Sequence, residues 1–180
     1  VNRIKNRKPK TWLPRSEEGD VSYHKSFEHI DMSEGEWLVL ARNNYLLSQV
    51  EEYLKTMGYF YYKNNKPSIS EVLIQAIKDW EKLRSGGKLK AEEVKKIYNY
   101  MRAGVGVKKG YKTLKQADPK KELDINSLKR NYGLLVDKIW HECFDLLGDT
   151  QKEYIVSSLR KGEKTMDIRI RLSTIHAIKG

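Results

Sequence analysis

Cysteine is nearly absent from this chain: Cys143 is the single one in 180 residues. One thiol excludes an internal disulfide and any cysteine-based zinc cluster. It falls among apolar residues at helical spacing, which reads as a buried structural thiol, not a reactive one. The histidines His24, His29, His141 and His176 make no metal-ligand spacing. His141-Glu142 begins like a zinc-protease motif, but Asp145 stands where the second histidine belongs. No apolar run approaches the roughly 18 residues that a membrane span requires. The basic N-terminus has no apolar stretch behind it and does not read as a secretory leader. The expectation is an intracellular, cytoplasmic protein.

Two nucleotide signatures are missing as well. There is no G-x-x-x-x-G-K-[ST] phosphate loop and no D-E-x-x motif for Mg²⁺. Gly104-Val-Gly106 with Gly110 has the wrong spacing and follows no apolar strand. Internal repeats and low-complexity tracts are also lacking.

What the chain has is positive charge and aromatic bulk. Net charge is +11, and 11 Tyr, 4 Trp and 3 Phe provide material for a folded core. Such a charge favours an anionic partner, with nucleic acid the default. The charge is also clustered. Arg3, Lys5, Arg7, Lys8, Lys10 and Arg15 occur without an acid among them. Arg102, Lys108, Lys109, Lys112, Lys115, Lys120 and Lys121 face only Asp118 in the segment 101–121. Clustering of this kind suits contacts that track a phosphate backbone.

Periodicity gives the order of elements. Residues 1–20 read as an extended arm with Pro9, Pro14 and Gly19, and 21–33 as a short helix or turn. Trp37-Leu-Val-Leu-Ala41 is a short apolar run that suits a strand buried on both faces of a parallel sheet. Asn43 or Asn44 can cap a helix carrying Tyr45, Leu46, Val50, Leu54 and Met57, with Gly58 at its C-terminal end. Tyr59-Phe-Tyr-Tyr62 reads as a strand. Ser68 or Ser70 caps the next helix, which Ser85-Gly86-Gly87 ends. Further helices are expected over 91–101, over 126–147 (one long or a broken pair) and over 150–159. A lysine- and glycine-rich loop spans 103–121. The alternation Ile168, Ile170, Leu172 predicts a final strand. Trp80 and Trp140 lie on apolar helical stripes and read as core. Strand signals at both ends, with about a hundred helical residues between, describe an α/β domain carrying a helical insertion.

Thr174-Ile-His176 followed by Lys179-Gly180 resembles the T-x-H-x-x-K-G motif of the second motor domain of UvrD/PcrA/Rep-type superfamily 1 DNA helicases. In that family the motif continues with Leu-Glu or a near variant. Leu38-Val-Leu-Ala-Arg42-Asn43-Asn44 resembles the family's V-L-x-R-x-N strand and its end. Asn2 to Trp12 and Gly19 look like the arm that follows the family's Q-N-Y-R motif. Residues 68–165 match its inserted subdomain by position and helical character. The resemblance is specific over 37–62 and 170–180, about a fifth of the chain. A chain starting at Val1 and stopping inside this motif is expected to be a piece of a larger motor.

The resemblance implies a partial RecA-like parallel-sheet domain of the P-loop NTPase type. It would be built from residues 1–63 and 166–180, with a mainly helical inserted subdomain at 64–165. It implies an ATP-dependent DNA helicase using ATP and Mg²⁺, with neither expected to bind this chain alone. Partners would be single-stranded DNA and an N-terminal motor domain of the same protein. Thr174 and His176 would donate to phosphate oxygens, contacts that set register and not sequence. Gly180 would let the backbone approach the γ-phosphate, and Lys179 could support either site. Arg42 would face the nucleic-acid or nucleotide cleft, or else pair with Glu51 or Glu52. Arg3, Arg7 and Lys8 would touch phosphate or remain a solvated arm. Lys108, Lys109 and Lys112, with Tyr111, would meet DNA or remain a solvated loop. The rival is a standalone, non-enzymatic basic helical module that binds nucleic acid. Strand order discriminates, because the rival gives no reason to pair 37–41 with 168–174.

Overall fold

Asn43 and Gly58 bound the first helix as their chemistry requires. The Asn43 side chain accepts a hydrogen bond from the Leu46 amide at 3.1 Å, satisfying one orphan donor of the helix start. Gly58 ends the helix at φ +70°, in the left-handed region, and its amide donates to the Leu54 and Lys55 carbonyls. In this computed structural model, residues 16–115, 117–165 and 167–178 are described. Contacts divide the chain into two units, residues 1–31 and 32–180. The described part of the first holds one 3-10 turn, Phe27–His29, whose N-cap Ser26 accepts from the Glu28 amide.

The second unit is mixed α/β. Strand β1 (Trp37–Ala41) leads into α1 (Asn44–Met57), then β2 (Tyr61–Lys63) and β3 (Lys66–Pro67). Helix α2 (Glu71–Arg84), β4 (Leu89–Lys90) and α3 (Ala91–Tyr98) follow. After a long loop come β5 (Glu122–Leu123), α4 (Ile125–Asn131), α5 (Trp140–Cys143), α6 (Asp149–Arg160) and β6 (Ile170–Thr174). Sheet order is β1-β6-β2-β3. The terminal strand β6 lies between β1 and β2 and is parallel to both, while β3 returns antiparallel to β2. A two-residue hairpin with Asn64 and Asn65 at φ 49° and 61° joins β2 to β3. Asparagine tolerates that conformation better than most residues.

One face of the sheet is packed. Tyr61, Ile170 and Leu172 are buried there, and α1 lies against both β1 and β6 with Leu47, Val50 and Leu54 turned inward. The opposite face is open among the described residues. Leu38 is 56% and Leu40 45% exposed, so β1 is not the doubly buried strand that its apolar run suggests. Among the described residues it is an edge strand, covered on one side only. The expected boundaries at 63/64 and 165/166 fall inside the second unit.

The helical residues between β3 and β6 pack around buried aromatic rings. The buried Trp80 indole donates to the Lys138 carbonyl at 2.9 Å, and Glu81 accepts from the Trp140 amide at 2.9 Å. The Phe144 ring meets Trp80, Trp140 and Tyr100. The Tyr98 hydroxyl donates to the Tyr132 carbonyl at 3.1 Å, and burial pushes its pKa well above the usual phenol range. A two-stranded pair, β4 with β5, closes the long loop. The 126–147 segment forms the short helices α4 and α5, joined by residues 132–139, and α3 stops at Tyr98 short of Met101. Cys143 is buried: its thiol donates to the Lys138 carbonyl at 3.0 Å and its pKa is raised by desolvation. No helix among the described residues is long and apolar enough to cross a membrane.

Candidate nucleic-acid interface

Buried Ile170 and Leu172 fix the register of β6, and the register decides what its end presents. Thr174 lies across from Ala41, the last residue of β1. The Ile175 amide donates to the Ala41 carbonyl at 3.0 Å, extending the parallel ladder by one step. Residues 175–178 then turn, and the Ala177 amide donates to the Thr174 carbonyl at 3.0 Å and to its Oγ1 at 3.3 Å. Thr174 Oγ1 therefore closes the turn as an acceptor and keeps its proton to donate. His176 sits on that turn, exposed and without a hydrogen-bond partner among the described residues.

Arg42 occupies the corner between β1 and α1, beside that edge. It is exposed. The alternative pairing of Arg42 with Glu51 does not form: Glu51 accepts from Lys63 Nζ at 2.5 Å and from the Tyr61 hydroxyl at 3.2 Å. Arg42 has no ion pair with Glu52 either. Asn43 is spent on its cap. The C-terminal edge of the parallel strands thus brings together a guanidinium, a hydroxyl and an imidazole from segments about 130 residues apart. Open α/β sheets bind ligands at such edges, and all three groups can donate to an anion.

The same edge holds residues that the sequence reading passed over. The Asn64–Asn65 hairpin abuts it, with the Asn64 amide donating to the Leu172 carbonyl at 3.1 Å. A groove of about 600 Å³ runs along the open sheet face, lined in part by Leu38, Tyr62, Asn64, Arg171, Ser173 and Ile178. The Asn-Asn dipeptide was the available signal, since two consecutive residues at positive φ mark a hairpin.

Lys108, Lys109 and Lys112 lie on a different loop. Val107 and Leu114 are buried and pin it at both ends. The Lys108 amide donates to the Gly133 carbonyl at 2.8 Å, and Tyr111 packs so closely on Gly133 that a Cβ there would sit 2.6 Å from its ring. Lys108 and Lys109 are exposed and Lys112 half-buried, none with a carboxylate partner among the described residues. Their neighbours Arg102 and Lys129 are engaged, with Asp145 and Asp137. The loop is a fixed platform for positive charge.

Arg3, Arg7, Lys8, Lys179 and Gly180 lie outside the described residues. Among the described residues no group of three His, Cys, Asp or Glu side chains is placed to hold a metal ion. Compared with protein-family models, curated proteins and solved structures, the chain matches none.

Proposed function

We propose that this chain is part of the second, RecA-like motor domain of a UvrD-like superfamily 1 DNA helicase, and that its share of the work is to grip single-stranded DNA. The supporting observation is the parallel pairing of 37–41 with 170–174, which sets Arg42 beside Thr174 and His176. A basic helical module has no need of that pairing. In this reading the Thr174 hydroxyl, the His176 ring and the Arg42 guanidinium donate to successive phosphate oxygens. Contacts to phosphate position a strand without reading its bases, which suits a protein that must move along any sequence. The 64–165 insertion would carry a second basic surface at Lys108, Lys109 and Lys112.

ATP belongs to the whole motor in this reading, with Mg²⁺, and its hydrolysis would supply the free energy for stepping. This chain's donors do not make an ATP site. No phosphate loop occurs in the sequence, and Arg42 is the one described residue of the proposed nucleotide wall. The chain alone should neither hydrolyse ATP nor unwind DNA.

The test is fluorescence anisotropy of labelled single-stranded DNA across a salt series. Salt-sensitive binding weakened at least tenfold in Thr174→Ala/His176→Ala supports the strand-edge grip. Binding that ignores this change but disappears with Lys108, Lys109 and Lys112 replaced by Gln would move function to the insert. That outcome would favour the non-enzymatic basic module, a reading that the pinned lysine loop makes concrete.

A further inference from the structure

Tyr45 belongs by sequence to the apolar stripe of α1, yet it is 72% exposed. The buried side of the helix is set by Leu47, Val50 and Leu54, and Tyr45 falls almost opposite them. It makes no hydrogen bond or ring contact among the described residues. Its place is specific. Tyr45 is the second residue of α1, three positions after Arg42. Side chains on a helix lean toward its N-terminus, and the N-terminus of α1 follows directly on the strand end that carries Arg42, whose neighbour Ala41 pairs with Thr174. Leu46 and Ile175, 43% and 41% exposed, add apolar surface at the same edge.

We propose that Tyr45 is a stacking platform for an unpaired nucleobase of single-stranded DNA whose phosphates are held by Arg42, Thr174 and His176. The inference rests on the strand-grip reading and adds a base contact to it. Donors at that edge can hold a backbone, but a base turned away from its phosphate needs an apolar plane. An exposed phenol ring supplies one without selecting sequence, since every base has a π-face. The phenolic hydroxyl is not needed, so any flat aromatic ring should serve at this position.

Affinities of wild type, Tyr45→Ala, Tyr45→Trp and Thr174→Ala/His176→Ala should be compared on a dT oligonucleotide and on one of equal length built of abasic sites. Stacking predicts that Tyr45→Ala weakens dT binding about fivefold or more and leaves abasic binding unchanged, while Tyr45→Trp keeps or improves dT binding. Loss of equal size on both oligonucleotides would overturn the inference, because the ring would then act on the backbone or on the fold. If Tyr45→Ala changes nothing while Thr174→Ala/His176→Ala weakens both, the inference fails and the strand-grip reading stands. If neither variant alters binding, or wild type binds neither oligonucleotide, both fail together.

Discussion

Arg169 and Glu163 form an ion pair at 3.0 Å that ties together the starts of three strands. Arg169 also donates to the Gly35 carbonyl ahead of β1, and the second Glu163 oxygen accepts from the Phe60 amide ahead of β2. Arg169 itself immediately precedes β6. The pair holds the starting ends of β1, β6 and β2 in line, and so helps set what their far ends present. Glu163 is only 9% exposed, so losing Arg169 strands a nearly buried carboxylate with a single amide donor. Arg169→Ala should cost about 2 kcal/mol, less than a fully buried broken pair because the arginine is partly solvated. Urea unfolding should show a lower midpoint at unchanged slope, and Glu163→Gln/Arg169→Ala should recover part of the loss.

Tyr154 clasps α6 to the β2–α2 region. Its hydroxyl lies 2.8 Å from both the Tyr59 carbonyl and Ser68 Oγ, and Ser68 Oγ also accepts from the Tyr61 amide. Burial pushes its pKa up to about 12 from an ordinary 10. The unfolded chain would therefore lose this proton first as pH rises. The raised folded value contributes stability that is fully present below pH 10 and lost between 10 and 12. Tyr154→Phe should cost about 1–2 kcal/mol at neutral pH and flatten the decline of the urea midpoint in that alkaline window. Tyr98 and Tyr61, also raised by burial, should leave a residual slope in the variant.

Gly58 faces two constraints at once. Its φ of +70° disfavours any side chain, and an added Cβ would meet Ser157 Oγ of α6 at 2.5 Å. The Ser157 backbone carbon would lie 3.3 Å away, so a rotation of the serine side chain cannot relieve the contact fully. Gly58→Ala should lose roughly 2 kcal/mol, about half from the backbone conformation. Gly58→Ala/Ser157→Ala should recover the part of the steric share that comes from Ser157 Oγ, and leave the conformational part together with the closer approach to the Ser157 backbone and Cβ. Thermal unfolding of the three proteins separates the two parts.

Cys143 should be inert in the folded protein. The thiol is 2% exposed, hydrogen-bonded to the Lys138 carbonyl, and its pKa is raised by burial. The thiolate that would react is therefore both scarce and enclosed. An aromatic disulfide reagent should label it at the rate of unfolding, with the rate rising in urea as global stability falls. Rapid labelling in water at pH 8 would contradict the packing of α5.

Signals carried by one or two residues were legible in the sequence. Gly58 marks the end of α1 and the Ile168–Leu172 alternation announces β6, while the caps were legible to within a pair: of Asn43 and Asn44 it is Asn43 that caps α1, and of Ser68 and Ser70 it is Ser70 that caps α2 by accepting from the Leu73 amide. Each works through a local backbone requirement that needs no distant partner. The insertion of β6 between β1 and β2 could not be read locally, because it depends on pairing across about 110 residues. The order of motifs predicts the pairing of 168–174 with 37–41, but not the place of β6 beside β2. Leu38 and Leu40 misled because a continuous apolar run does not say which alternate side chains meet solvent. The two-residue strands β4 and β5 are too short to leave a periodic signal. At the site, Arg42, Thr174 and His176 were named from sequence. That Arg42 would be free, with Glu51 committed to Lys63 and Tyr61, needed side-chain geometry.

Arg42 and Thr174 should fail in different ways if both hold phosphate. A guanidinium that neutralises a phosphate releases condensed counterion, so Arg42→Ala should lower the slope of log K against log salt by about 0.7 for single-stranded DNA. The Thr174 hydroxyl carries no charge and releases none. Thr174→Ala should therefore weaken binding about tenfold, as loss of a hydrogen bond to a charged group does, while leaving the slope unchanged. Titrations at five salt concentrations between 50 and 200 mM separate the two, on the order of the range over which such contacts are resolved. An Arg42→Ala protein with lower affinity but the wild-type slope would mean that Arg42 supports the strand edge without touching phosphate. A Thr174→Ala protein with a reduced slope would mean that the turn closed by its Oγ1 had shifted and carried a cation away from the strand.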